Sequence, residues 1–303
     1  MDIRFCWWNV ALSPNATKTA SKEEVEKMIL LLDKYLVQLL SNMEIDFLAL
    51  GEINPQLFDY INRNLKETHF EVIDGMVKIE TSRFNECFIY NTKKLLLVKH
   101  EPITGQKRER GKHKVAQKLV FKTVVNAEED SHLIYVLTSH WPSGMNDYTA
   151  SPNKHQLALL LRDEVDLICD QEPDARIVLM GDYNEEPHSP VIQEHLRASR
   201  DVRLVEAKSR LLYNPLWKSM SNMQWNNDCA GSYFYSGGDV NQWLTFDQII
   251  ISKALLVGKE WQYKHDCQNI TELSGLVELV RNRDEKFDHL PVFCHLQKVH
   301  EHG

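Results

Sequence analysis

Apolar residues recur along this chain with two periods. In "SKEEVEKMILLLDKYLVQLL" the residues Val25, Met28, Ile29, Leu32, Leu36 and Leu39 fall three and four apart, which predicts an amphipathic helix. Ser21 and Glu24 stand before it in capping-box spacing. A second helix is predicted from Ser151-Pro152, with Leu157, Leu160, Leu161, Val165 and Ile168 on one face and proline at the favoured first position. Shorter helices are expected from Pro55 and from Ser189-Pro190. Between them lie strand-like runs: "IRFCWWNV", "IDFLALGEI", "NECFIYNT", "LLLVKH", "KVAQKLVFKTVV", "HLIYVLTSHW", Ile177 to Met180, "LTFDQIIIS" and "LPVFCHL". The middle runs follow one another mostly without helices, so a sheet meander is expected instead of strict βαβ alternation. No solenoid period, low-complexity linker or shift in composition divides the chain. A single domain over residues 1–303 is the expectation.

Composition narrows the class. The chain is 43% hydrophobic and 26% charged, enough to bury a sizeable core. Its formal charge of −8 means that a polyanion can be met only through a local basic patch or a bound cation. The six cysteines are scattered with no CxxC pair, which speaks for free thiols in a reducing compartment and against thiolate metal sites. "MDIRFCWWNV" lacks the pattern of a secretion signal, and no apolar run reaches the length of a membrane span. A cytoplasmic protein without membrane attachment is expected.

The chemistry sits where strands end. The first strand ends at Asn9, the second at Glu52, a later one at His140 in "LTSHWPS". "RIVLMGDYNEEP" ends a buried run in Asp182 and Asn184, with Glu185 and Glu186 beside them. "LTFDQIII" carries Asp247, and "KFDHLPVF" supplies Asp288 and His289. Singly, each is an ordinary turn, because Asp and Asn hydrogen-bond their own backbone. If the ends gather at one edge of packed sheets, they form a cleft of oxygen ligands and two imidazoles. Bare carboxylates repel one another, and a divalent cation removes that conflict. Oxygen donors favour Mg²⁺, with Mn²⁺ or Ca²⁺ possible, over zinc.

Taken in order, "WWNV", "DFLALGEI", "LTSHW", "VLMGDYNEEP", "TFDQIII" and "FDHLPVF" make the chain resemble the endonuclease/exonuclease/phosphatase superfamily of metal-dependent phosphoesterases. The resemblance implies a four-layer αββα sandwich, with two packed, mostly antiparallel sheets flanked by helices. It implies Glu52 as the principal metal ligand, with Asn9, Asp182 and Asp288 close to the ion. His289 would act on the attacking water, oriented by Asp247. His140 would donate to the phosphate or leaving oxygen, and Glu86 in "NECFIY" matches the glutamate that orients it. Asp182 and Asn184 would position the metal, the phosphate or the attacking water. The chain departs from many relatives where Thr245-Phe246-Asp247 replaces an arginine-isoleucine-aspartate run. In "ERGKHKVAQKLVF" a phosphate-contacting arginine has no clear counterpart, and Arg110, Lys112 or Lys114 could take its place.

Two segments bear on substrate. Lys107, Arg108, Arg110, Lys112 and Lys114 form the one strongly basic run, either a solvated loop or an arm along a phosphate backbone. Trp217, Trp225, Tyr233, Phe234, Tyr235 and Trp243 crowd the segment before Asp247, either to stack on bases or to pack a long loop. Of Trp7 and Trp8, alternation sends one to the core and leaves the other, taken as Trp8, to wall the cleft. The reading is a divalent-metal-dependent nuclease, with DNA favoured over RNA as partner. The alternative is a phosphatase or phosphodiesterase for a small or lipid headgroup, of inositol phosphate or sphingomyelin type. A non-enzymatic interaction module is disfavoured by the full set of polar residues.

Overall fold

The computed structural model describes residues 1–12, 22–80, 82–106, 111–124, 133–143, 152–221, 229–265, 270, 273–282 and 287–299. Two mixed sheets carry the chain. The first has six strands in the order Trp261–Tyr263, Val292–Lys298, Asp2–Asn9, Phe47–Gly51, Glu86–Asn91 and Phe70–Asp74. The second has seven, in the order Ala198–Ser199, Leu212–Tyr213, Asp247–Ser252, Arg176–Asp182, Leu133–His140, Lys112–Thr123 and Leu95–Gln106. The expected meander is the run Leu95–Gln106, Lys112–Thr123, Leu133–His140, all antiparallel neighbours. Its outer member tolerates Pro102 because an edge strand has no neighbour on that side.

At the heart of each sheet is a parallel pair. Asp2–Asn9 runs with Phe47–Gly51, and Leu133–His140 runs with Arg176–Asp182. Parallel strands need a long crossover, and here each crossover contains a helix: Lys22–Val37 in the first case, Pro152–Gln171 in the second. Met28, Leu32, Leu36 and Leu39 are buried against the first sheet as their spacing predicts, while Ile29 is partly buried. Ser21 and the Glu24 side chain, the predicted capping box, lie outside the described residues. Leu157, Leu161, Val165 and Ile168 cover the outer face of the second sheet. Pro55–Leu65 opens as expected, with the Asn54 side chain accepting from the Leu57 amide. Where Ser189-Pro190 predicts an ordinary helix, the chain instead makes a wide turn over Val191–His195, closed by the Leu196 amide on the Val191 carbonyl.

Period-two alternation sorts the side chains between layers. In Arg176–Asp182, Val178 and Met180 face the other sheet, while Ile177 and Leu179 face the helix. Ile134 and Val136 likewise point inward with Ile249 and Ile251, and Leu137 and Ile250 outward. The layers are therefore helix, sheet, sheet, helix. Continued to the strand ends, the same alternation sends Thr138, His140, Asp182 and Asp247 toward the opposite sheet. The apolar seam between the sheets thus ends in polar residues at one edge.

Candidate active site

Asn9 pairs with Gly51 and Asp182 with His140 in register, so both parallel pairs end at the same level. Crevices outside the carboxyl ends of parallel strands are where open sheets place ligands. Beyond each pair the backbone turns sharply through a left-handed residue: Glu52 at φ 57° and Asn184 at φ 50°. Asparagine tolerates that conformation, but for glutamate it costs about 1–2 kcal/mol. The turn carries Glu52 toward the cleft instead of on along the strand. Glycines make the approach possible. A Cβ on Gly51 would stand 2.8 Å from the Trp7 ring, and one on Gly181 would lie 1.9 Å from the Ser139 carbonyl oxygen.

The floor is a closed hydrogen-bond set. His289 Nδ1 lies 2.6 Å from Asp247 Oδ2. The second Asp247 oxygen accepts from Trp7 Nε1 at 2.8 Å, and the Asp247 amide donates to Ser232 Oγ at 2.9 Å. The Trp8 indole N–H holds the His289 carbonyl at 3.0 Å. Burial alone would lower the His289 pKa, but the carboxylates of Asp247, Asp182 and Asp288 outweigh it and push it up to about 10. Asp247 thus fixes the imidazole by Nδ1 while Nε2 faces the cleft, 3.8 Å from both Asp182 and Asp288.

Around this floor stand Glu52, Asp182, Asp288 and His140. Asn9 Nδ2 donates to Glu52 Oε1 and to Asp182 Oδ2, each at 3.2 Å. His140 Nε2 is 3.6 Å from Glu52 Oε1 and 3.8 Å from Asp182 Oδ2. Asp182 Oδ1 accepts the Asn184 amide at 2.9 Å, and the Asn184 side chain donates to the Trp141 carbonyl at 2.9 Å. Asp288 Oδ1 is buried with no hydrogen-bond partner, and burial raises the pKa of its carboxyl.

Oxygen donors of Glu52, Asp182 and Asp288, one of them unpartnered, suit a hard divalent cation. The ligand-capable atoms of Asp182, Asp247 and His289 also lie within 4.8 Å of one another. There, however, Trp7 and His289 already occupy both Asp247 oxygens, so the Glu52 side of Asp182 is the better cradle. The Asn9 oxygen takes the Ala11 amide at 3.0 Å, and its nitrogen faces the carboxylates of Glu52 and Asp182.

Some expectations change. Trp8 is fully buried, packed on Tyr35 and Phe287, and offers no surface to a substrate. Glu86 does not hydrogen-bond His140. Its Oε2 accepts from Thr138 Oγ1 at 2.6 Å and Gln117 Nε2 at 2.9 Å, and burial raises its pKa, with His140 acting on it only through charge. Glu185 and Glu186 turn away from the cleft, to Lys154 Nζ at 3.1 Å and the Thr245 amide at 3.3 Å.

Of the basic run, Lys107, Arg108 and Arg110 lie outside the described residues. Lys112 is exposed, while Lys114 Nζ donates to the Arg83 carbonyl at 2.6 Å. Burial lowers the Lys114 pKa against the pull of Glu86 and Glu52. Of the aromatic segment, Trp225 also lies outside the described residues. Tyr233 stacks on Phe246 and packs against the His289 ring at 4.7 Å. Trp217 packs near Arg200 and His188 instead. Residues that sequence reasoning missed are Trp7 as the Asp247 donor, Ser232, Thr138, Gln117 and Lys154. Only Trp7 carried a signal, as one of a tryptophan pair beside Asn9.

The sequence profile of the Endonuclease/Exonuclease/phosphatase family matches residues 13–298, and the chain belongs to that family. No curated protein matches it by sequence. Solved structures share its fold at low identity. The human Nocturnin catalytic domain with bound sulfate aligns at TM-score 0.59 and 14% identity, covering 98% of this chain and 95% of that one. D. rerio TDP2 with a single-strand DNA product gives TM-score 0.60 and 13% identity, covering 98% and 99%. ANGEL2, a 2',3'-cyclic phosphatase, in complex with adenosine-2',3'-vanadate gives 0.62 and 13%, covering 97% and 95%. The fold is thus that of the phosphoesterase hydrolases. No helix among the described residues is long and apolar enough to cross a membrane.

Proposed function

We propose that this protein is a divalent-metal-dependent phosphodiester hydrolase acting on nucleic acid, with DNA favoured and Mg²⁺ as the ion. One observation carries the reading: three carboxylates and two imidazoles meet at the shared edge of the sheets, and one imidazole is locked to a buried aspartate. A phosphodiester resists attack because its anionic oxygens repel nucleophiles. Glu52, Asp182 and Asp288 would hold the cation, which when bound offsets that charge and polarises phosphorus.

The chain's own groups do the rest. Asp247 holds the His289 imidazole by Nδ1, leaving Nε2 to orient the water opposite the leaving oxygen and to take or keep its proton. His140, on the far side of Asp182, donates toward the phosphate or leaving oxygen. Asn184 contacts a non-bridging oxygen. Lys114, which feels the charges of Glu86 and Glu52, and the exposed Lys112 would draw the polyanion to a molecule whose net charge repels it. The nucleic acid bound by one fold neighbour agrees with this choice.

A second reading is a phosphatase for a small or headgroup phosphate, favoured by the net charge of −8, which discourages a long polyanion. One panel separates them: plasmid DNA, single-stranded DNA, RNA, a mononucleotide and an inositol phosphate, each with Mg²⁺, Mn²⁺ or EDTA. Nicking or cleavage of DNA that EDTA abolishes is expected. Phosphate release from the small molecules alone would establish the second reading, and inactivity throughout would refute both.

A further inference from the structure

One buried cation has no part in that chemistry. Lys154, in the first turn of Pro152–Gln171, is 4% exposed. Its Nζ donates to the Asn184 carbonyl at 2.6 Å and pairs with Glu185 Oε1 at 3.1 Å. A buried ammonium is costly to desolvate and persists where partners compensate it. Here the partners are consecutive residues of the loop that follows Asp182. The next carbonyl, that of Glu185, is gripped from the other side by the buried Gln248, whose Nε2 donates at 2.5 Å. Gln248 is itself held by Asn214 Nδ2 at 2.7 Å.

Between these two clamps Asn184 keeps its left-handed backbone. That conformation turns the Asn184 amide back onto Asp182 Oδ1 and its side chain onto the Trp141 carbonyl, next to His140. A flexible loop would sample other conformations at this position, because left-handed backbone is unfavourable without support. Glu185, with 13% of its side chain exposed, is the second and longer contact of the lysine. The shorter contact is to the Asn184 carbonyl. The helix that crosses between the second parallel pair thus reaches back to set the loop at that pair's end.

We infer that Lys154 is a positioning residue: it pins Asn184 in its left-handed turn and, through the Asn184 amide, fixes the orientation of Asp182. The inference rests on the phosphodiesterase reading for its kinetic consequence but on geometry alone for its structural one. Two substitutions in the full chain test it. K154M keeps the methylenes and removes the ammonium, while E185Q removes the ion pair and keeps the ammonium on the Asn184 carbonyl.

With bis(p-nitrophenyl) phosphate and Mg²⁺, K154M is expected to lose about 10- to 100-fold in kcat with KM changed less than about twofold, the signature of misplacement without lost binding. E185Q is expected to stay near wild type. N184A combined with K154M is expected to lose no more than N184A alone, because both act on one geometry. Independently of activity, hydrogen exchange at the Asn184 amide is expected to speed up by at least about tenfold in K154M. Amides of Leu133–His140 should not change.

A kcat within about twofold of wild type, or losses that simply multiply in the double variant, would overturn the inference. So would unaltered exchange at Asn184. If wild type itself leaves the diester and the panel substrates untouched, the phosphodiesterase reading fails, and amide exchange alone decides the role of Lys154. Should K154M not fold, K154Q, whose amide is too short to span both partners, is judged by the same two readouts.

Discussion

The floor and the rim of the cleft are built on opposite principles. On the floor, His289, Asp247, Trp7 and Trp8 are buried, and short hydrogen bonds link His289 to Asp247, Asp247 to Trp7 and Trp8 to the His289 carbonyl. At the rim, His140 and Glu52 keep 23% and 30% of their side chains exposed and stand 3.6 Å apart, too far for a good hydrogen bond. Asp288 Oδ1 has no hydrogen-bond partner at all. Packing and mutual charge settle the floor, which is therefore ready before any ligand arrives. The rim holds His140 and the carboxylates of Glu52, Asp182 and Asp288 at longer range, and in the proposed reading a cation and a phosphate would satisfy them. Asn9 spans the difference, since its oxygen is bound to the backbone and its nitrogen lies between Glu52 and Asp182.

The largest expected effect breaks the rim. Glu52→Gln, which weakens the cation cradle, is expected to cost at least about 10³-fold in metal-dependent activity, since Lewis-acid stabilisation supplies several kcal/mol. Its melting temperature should hardly move. A Mg²⁺ titration of turnover beside a thermal melt checks both.

The two histidines sharpen the contrast. His289→Ala and His140→Ala should each lose about 10²- to 10⁴-fold in turnover. Only His289→Ala should also destabilise strongly, by about 3–5 kcal/mol, because it strands the buried Asp247 charge. His140→Ala should stay within about 0.5 kcal/mol of wild type in denaturant unfolding, as partly exposed sites do. Equal stability losses in the two variants would erase the distinction between floor and rim.

A smaller effect is expected at Trp7. Trp7→Phe removes the donor to Asp247 and should cost about 1–3 kcal/mol of stability, with a modest fall in kcat.

The smallest effect concerns pH. Burial raises the Glu86 pKa above its ordinary value. The folded protein therefore binds this proton more tightly than the unfolded chain does, and stability falls as pH rises from about 4.5, the unfolded value, through the raised folded value. Glu86→Gln cannot titrate and is expected to lose that slope, so its melting temperature should gain on wild type as pH is raised. Parallel pH profiles for the two proteins would show that Glu86 carries no such cost.

The fold was legible in sequence because burial on both faces of a parallel strand demands an apolar run. Phe47–Gly51 and Arg176–Asp182 show such runs ending abruptly in polar residues. The helices were legible from their spacing, apart from the turn after Pro190, where the chain widened into Val191–His195. The floor of the site was legible too, in that Asp247 and His289 meet as expected. Misplaced was Trp8, read as a cleft wall and found fully buried. Two adjacent tryptophans alternate faces, but alternation alone cannot say which faces the helix Lys22–Val37 and which the second sheet. An asparagine exposes either its oxygen or its nitrogen, and here the Ala11 amide, two residues on, takes the oxygen.

Residue order by itself determined which side chains stand at strand ends, because period two carries the inward face of each strand on to its last residue. Its helix and strand periodicities marked the elements, while the layers were expected only from the family resemblance. Tertiary structure alone decided which of those polar groups would touch. Left-handed turns at Glu52 and Asn184 swing one carboxylate into the cleft and send Glu185 and Glu186 out of it. Lys154, an unremarked residue of a long helix, acquires its partners only when that helix packs over the second sheet. Contacts between residues far apart in the chain depend on orientations to within an ångström, and no local pattern of apolar and polar positions encodes them.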